Sequence, residues 1–370
     1  MIKICIATMT RSEYGILKWL IKDLIASNEY DITLLVGGAH FSEEQGYTVD
    51  EIKADGIPFF PMENTLVDTT DDASIVRGMG NISIAFSTAL SKLAPDYLIV
   101  EGDRYELIPI VSGALMMKIP VIHISGGDVT EGAIDNEIRN AITMMSTYHF
   151  VGNQDSKENV IRMQGSDKNV WNVGEPGLDS FFRERLFSRE ELAENLGLDI
   201  NKKWVLFTYH PESKMGLEDN LKTVRDCLDI LMDTEGIQCV ATYANMDMGG
   251  REINDILEEY KDDKKIIVIP SLGHTRYLSM MKQAGLVLGN SSSGIVEAPI
   301  LRVPVVNVGE RQKGRHLCGN VVHCDNSKAS IKQAVEQALD AKLLVFDADY
   351  WGDGHAAKRI QNVLSSIVEK

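Results

Sequence analysis

No run in this chain reaches the ~18 consecutive apolar residues that a membrane-spanning helix needs, so no span is expected. The opening stretch, Met1–Thr10, lacks the layout of a signal peptide and reads as a buried strand. Cysteine is sparse. Cys5, Cys227, Cys239, Cys318 and Cys324 are an odd, scattered set of 5 with no Cys-x-x-Cys pair, which excludes a disulfide scaffold and predicts free thiols in a reducing cytoplasm. The spacing of Cys318, His323 and Cys324 is poor for zinc, so no metal is expected. Neither Gly-x-Gly-x-x-Gly after the first strand nor a Walker P-loop is present, which removes the usual support for NAD binding or ATP hydrolysis. Positive charge is in deficit, with 37 Lys and Arg against 54 Asp and Glu, a net −17. That balance argues against nucleic acid or an anionic membrane as partner, but leaves room for one anionic substrate in a locally basic site.

What is present is an ordinary globular composition, 44% hydrophobic and 25% charged over 370 residues, a length that suits two domains. Short apolar runs alternate with longer amphipathic stretches. Strands are expected at 2–8, 32–37, 97–101, 121–124 and 148–151, then at 204–209, 238–242, 265–269, 286–288 and 303–307. Helices are expected at 15–26, 75–93, 217–233 and 253–260. Continuous Val/Ile/Leu runs fit strands covered on both faces, and the alternation predicts an α/β chain of two Rossmann-like, doubly wound parallel sheets. The Gly and Pro of Gly174–Asp179 mark the break, giving domains at 1–175 and 176–350 and a terminal helix after them.

Ligands of open α/β sheets sit beyond the carboxyl ends of the strands. The residues there are polar: Thr10-Arg11, Glu101–Arg104, His123–Asp128, His210–Glu212 and Gly289–Gly294. Each has a plain structural alternative. Ser291, Ser292, Ser293 and Gly294 open a helix and suit a phosphate, although one serine would serve as an N-cap. Glu297, about one turn further on, can take both hydroxyls of a ribose or be a solvated residue. Arg11 can fork onto phosphate oxygens or form a surface ion pair. Asp103 can be a catalytic acid or cap the next helix, and Arg104 can pair with an acid or face phosphate. Asp135 and Arg139, spaced i, i+4, share a helix face near Asp128. Converging carboxylates can have their pKa values pushed apart into one acid and one base. His210 can donate to phosphate, act as acid/base, or be structural.

Taken in order, Thr10–Gly15, Gly102–Glu106, His123–Asp128, His210–Glu212, Asn290–Glu297 and Glu310–Arg315 closely resemble the hydrolysing UDP-N-acetylglucosamine 2-epimerases of sialic-acid biosynthesis. The resemblance spans nearly the whole chain. It implies a GT-B-like fold with the active site in the interdomain cleft, residues 351–370 packing back on the first domain, and a cytoplasmic homo-oligomer, dimer or tetramer. The implied reaction takes UDP-GlcNAc and water to N-acetylmannosamine and UDP, through anti elimination to 2-acetamidoglucal and then hydration, with no cofactor. By the same resemblance Asp103 and Asp135 match acidic catalytic positions. Arg11, His210, Ser291, Ser292 and Arg311 match phosphate or nucleotide contacts, Glu297 the ribose carboxylate, Asn245 a sugar or phosphate contact, and Arg104 and Arg139 motif arginines. One departure stands out: several relatives carry a catalytic Glu where this chain has Ser125, although other hydrolysing enzymes also lack it, which leaves Asp128 to supply that function or the substrate to differ. The alternative substrate is UDP-2,4-diacetamido-2,4,6-trideoxyglucose of the legionaminic-acid branch. A non-hydrolysing epimerase, a GT-B glycosyltransferase and a non-catalytic UDP-sugar sensor are the competing readings.

Overall fold

A computed structural model describes residues 1–44, 46–245, 247–340 and 347–368. The chain forms two compact units, one of Met1–Asp128, Asp135–Phe182 and Trp351–Lys370, the other of Val129–Ile134 and Arg183–Tyr350.

The first unit is built on strands β1 (Ile2–Thr8), β2 (Tyr30–Val36), β3 (Phe59–Pro61), β4 (Tyr97–Glu101), β5 (Val121–Ile124), β6 (Tyr148–Val151) and β7 (Val170–Asn172). They lie in the order β3-β2-β1-β4-β5-β6-β7, and every pairing is parallel. Alternate residues of β1 serve opposite faces. Ile4 and Ile6 pack with the helices Arg11–Ser27 and Ala356–Val368, whereas Cys5 and Ala7 pack with Asp72–Leu93 and Leu107–Met116. Two covered faces explain why the strand reads as one apolar run rather than an alternating one.

Helix ends follow local chemistry. Thr10 and Glu13 form a capping box at Arg11–Ser27, Asp71 caps Asp72–Leu93 by accepting from the Ser74 N–H, and left-handed Asn28 and Ala94 close the two helices. The expected terminal helix begins at Ala356, where Asp179 receives the N–H groups of Ala356 and Ala357 at 2.9 Å each. Its Ile360 and Leu364 are fully buried, each contributing about 1.5–3 kcal/mol of apolar burial.

The second unit repeats the topology with β8 (Lys203–Thr208), β9 (Ile237–Thr242), β10 (Ile266–Ile269), β11 (Leu286–Gly289), β12 (Val305–Val308) and β13 (Val321–Cys324), in the order β10-β9-β8-β11-β12-β13. Strands β3, β7 and β13 were not expected. All three lie at sheet edges; two have only 3 residues, and β3 ends in a proline, which an edge tolerates. All five cysteines are free and buried. Among the described residues no helix is long and apolar enough to cross a membrane.

Candidate active site

Each sheet reverses its winding once, between β1 and β4 in the first unit and between β8 and β11 in the second. A doubly wound sheet opens a crevice at that reversal, beyond its carboxyl ends. The polar segments of the sequence fall there: Thr10-Arg11 and Gly102–Glu106 in the first unit, Tyr209–Glu212 and Asn290–Ser293 in the second.

In the first unit the expected acids gather around one cation. Arg139, on the helix Asp135–Met145, is 1% exposed. Its guanidinium donates to the Asp103 carboxylate and, at 2.9 Å, to the Asp128 carbonyl. Burial pulls its pKa down, but Asp103, Asp128 and Asp135 outweigh this and hold it above the ordinary arginine value. Its hydrogen bonds hold the Asp103 carboxylate and the Asp128 main chain, and Asp135 lies near enough to feel its charge. Asp103 is therefore not a helix cap, and the helix it precedes starts at Leu107 without a side-chain cap. Arg104 pairs with an acid, donating through Nε and Nη2 to Glu106 at 3.1 and 2.9 Å. His123 donates from Nε2 to the Gly102 carbonyl at 2.9 Å and meets the Thr143 hydroxyl at Nδ1; burial pushes its pKa down to about 3, so it is a neutral strut. Arg11, part-exposed at the first turn of its helix, lies near enough to His40 to help burial lower that pKa to about 4.

Several acids at this end were not singled out from sequence. Glu13 accepts from the Met9 and Thr10 N–H groups at 2.6 and 2.7 Å, yet burial first, and then Glu106, push its pKa up to about 7 against the pull of Arg104. Glu101 is raised well above the usual carboxyl range by burial and by Glu13, Glu175 and Asp103. Glu175, read from sequence as part of the interdomain break, accepts a hydrogen bond from Ser125 Oγ at 2.6 Å. The signal for it was weak: one acid between Gly174 and Pro176.

In the second unit the two loops at the reversal are locked together. The His210 N–H donates to Asn290 Oδ1 at 2.7 Å, and Asn290 Nδ2 donates back to the His210 carbonyl at 2.8 Å. Gly289 permits this approach, because a Cβ there would lie 2.0 Å from the Thr208 carbonyl oxygen and its φ is +138°. The Asn245 backbone N–H donates to His210 Nδ1 at 3.1 Å, so a neutral ring carries its hydrogen on Nε2. Asn245 thus acts on the histidine through its main chain. Arg311 and Gln312 both donate to the Asn290 carbonyl, at 3.1 and 2.8 Å. Glu212 receives the Glu310 N–H at 3.0 Å and so holds the start of the Glu310–Arg315 segment. Residues Val129–Ile134 join this unit through Glu131, whose N–H donates to the Lys313 carbonyl at 2.8 Å.

The serine loop divides its work. Ser291 caps the helix Ser292–Val296, Ser293 Oγ meets the Tyr277 hydroxyl at 2.6 Å, and Ser292 is exposed. That helix has 5 residues, with Gly294 buried inside it, so its dipole is small. Glu297 is not within a helix but at the junction with Ala298–Leu301. Cys318 and His323 do not form the weighed metal set: Cys318 Sγ donates to the Asp347 carbonyl, His323 Nδ1 meets Asn307, and Cys324 Sγ faces the Asn307 carbonyl.

Residues 22–365 match the model of the family described as UDP-N-acetylglucosamine 2-epimerase. The chain belongs to that family. It is 34% identical over 342 residues, 92% of its own length and 88% of the relative's, to a Campylobacter jejuni GDP/UDP-N,N'-diacetylbacillosamine 2-epimerase (hydrolyzing). It is 31% identical over 365 residues, 99% and 96% of the two chains, to the Legionella pneumophila UDP-N,N'-diacetylbacillosamine 2-epimerase (hydrolyzing). A UDP-N-acetylglucosamine 2-epimerase of Neisseria meningitidis is 29% identical over 350 residues, covering 94% of this chain and 89% of that one. Among solved structures, the Methanocaldococcus jannaschii UDP-GlcNAc 2-epimerase with UDP-GlcNAc and UDP superposes with a TM-score of 0.82 at 20% identity, covering 99% of this chain and 100% of that one. This likeness establishes the fold, two parallel-sheet α/β domains of GT-B-like type.

Proposed function

We propose that this family member is a hydrolysing 2-epimerase whose substrate is UDP-2,4-diacetamido-2,4,6-trideoxyglucose, the diacetylbacillosamine nucleotide. The observation that carries the substrate is the 34% and 31% identity to two enzymes named for that sugar, over 92% and 99% of the chain. UDP-GlcNAc, favoured by the sequence motifs, becomes the second reading; the Neisseria relative at 29% supports it.

The chemistry suits the groups in each unit. The second unit would hold the nucleotide through Arg311, the Ser292 hydroxyl and His210, whose Nε2–H can donate to a phosphate oxygen. Those donors stabilise the negative charge that grows on UDP as its bond to C1 breaks. The first unit supplies carboxylates. The C2–H is weakly acidic, so a carboxylate takes that proton as UDP departs with the C1–O electron pair, leaving a C1–C2 double bond. Hydration then adds hydroxide equivalent at C1 and a proton at C2. Asp103 and Asp135, gathered around Arg139, are the groups we assign to taking the proton from C2 and, later, from water, with Asp128 beside them.

Incubating the protein with each UDP sugar in heavy water tests the reading. The expected result is UDP and free 2,4-diacetamido-2,4,6-trideoxymannose deuterated at C2, formed faster than N-acetylmannosamine from UDP-GlcNAc. Preference for UDP-GlcNAc would establish the second reading. An intact UDP-linked epimer, turnover only with an acceptor sugar, or tight UDP binding without turnover would reject both.

A further inference from the structure

Four consecutive strands of the first sheet present a row of groups at their carboxyl ends. Glu101 ends β4, Ser125 follows β5, Gly152 follows β6 and Glu175 follows β7. Glu175 begins two strands away from Ser125, yet its carboxyl reaches it. Its side chain passes over Gly152, where a Cβ would lie 1.8 Å from Glu175 Oε1. Its backbone is fixed by the N–H bond to the Trp351 carbonyl at 2.8 Å. At the end of this reach Oε2 accepts from Ser125 Oγ at 2.6 Å, and Ser125 itself sits at φ +61°, a left-handed conformation that a non-glycine residue adopts at some cost. Ser125 and Glu175 are part-exposed, and the buried Glu101 carboxyl lies near enough to Glu175 to be raised by it. A part-exposed carboxylate thus stands at a hydroxyl beyond the carboxyl ends of the sheet.

We propose that Glu175, carried across Gly152 to the Ser125 hydroxyl, is the acid that delivers the new proton to C2 in the hydration half of the reaction. The transfer balances. Glu175 gives its proton to C2 as the oxygen of water bonds to C1, the second proton of that water goes to a carboxylate of the Asp103–Asp128–Asp135 group, and solvent recharges Glu175. A carboxyl is thereby supplied at Ser125 by a residue 50 positions along the chain.

This proposal rests on the epimerase reading, and its test separates the two. Glu175→Gln keeps the size and an acceptor oxygen for Ser125 but cannot give a proton. Single-turnover reactions are followed for UDP release, for the glycal intermediate and for free sugar, with UDP affinity measured by calorimetry. The expected result is UDP release within about threefold of the parent, accumulation of the glycal, and free sugar slowed by at least ~100-fold, as for loss of a general acid. Ser125→Ala, which removes the hydroxyl that holds Glu175 but leaves the acid, should slow sugar formation by about tenfold with the same glycal signature. A merely structural Glu175 would lower UDP release and sugar together without glycal, and that outcome overturns the proposal, as does parental sugar formation in Glu175→Gln. If the parent protein itself releases no UDP from either sugar, the epimerase reading falls and takes the proposal with it.

Discussion

The two units share one winding order and differ in what they place at its reversal. At the β1/β4 end stand carboxyls: Asp103, Glu101, Glu13 and Glu106, tempered by the buried Arg139 and by Arg104. At the β8/β11 end stand amides, hydroxyls, a histidine and an arginine: Asn290, Ser291, Ser292, His210 and Arg311. Six strands of each sheet run 3-2-1-4-5-6 in their own counting, with a seventh at the edge of the first. The chemistry is decided by a few loop residues. One end gathers carboxyls and the other amides, hydroxyls and a cation, and the fold alone gives neither.

The strongest way to break this contrast is to remove charge from the acidic end. Asp103→Asn leaves Arg139 buried with its nearest carboxylate gone. We expect turnover to fall by ~1,000-fold, within the range for loss of an acid/base group, and the fold to lose roughly 3 kcal/mol, because an uncompensated buried charge remains. UDP affinity should stay within about twofold. Steady-state kinetics, urea unfolding and calorimetry together check it. Equal losses of UDP affinity and turnover would erase the division of labour between the units.

The acidic end should also show itself in the pH dependence of stability. Glu13 is 3% exposed, and its carboxyl is raised from 4.5 to about 7. A carboxyl raised in the folded state binds its proton more tightly than the unfolded chain does. Its stabilising contribution is therefore complete below pH 4.5 and is lost as pH rises through about 7. Glu13→Gln does not titrate. Relative to the parent it should gain about 3 kcal/mol between pH 4 and pH 8. His40 and His123, lowered to about 4 and 3, act in the opposite sense, losing stability as pH falls from about 6.5, but they are common to both proteins and cancel in the difference. Urea unfolding of the pair at several pH values reads it directly. A pH-independent difference would show that Glu13 stays ionised throughout.

How much of this was legible beforehand follows from burial and range. Strands covered on both faces, such as β1 and β11, announce themselves as apolar runs, and the two-sheet architecture follows. The 3-residue edge strands β3 and β7, paired on one side only, carry too little pattern to be read, whereas the longer edge strand β10 was expected. The polar loops were found because they follow strands. Their partners were not: that Asp103 meets Arg139, 36 residues on, and that Ser125 meets Glu175, 50 residues on, depends on which strand lies beside which. Spacing along the chain encodes i, i+4 neighbours such as Asp135 and Arg139, and it is silent about side chains that cross a sheet end.

The smallest effects lie inside the serine loop and sharpen the anion-holding end. Ser291 is an N-cap accepting from the Ser293 N–H, Ser292 is exposed, and Arg311 bonds the Asn290 carbonyl just before them. Arg311→Ala should weaken UDP binding by about tenfold, or about 1.4 kcal/mol, with melting temperature little changed. Ser292→Ala should weaken it about threefold, also without loss of stability, as removal of one exposed donor would. Ser291→Ala should differ in kind: it removes a cap and costs about 1 kcal/mol of stability, so that any loss of UDP affinity follows from a frayed loop. Calorimetry and thermal unfolding of the three variants separate these cases. If Ser292→Ala lost stability and Ser291→Ala kept it, the capping assignment would be reversed, and the exposed hydroxyl would no longer stand out as the loop's anion donor.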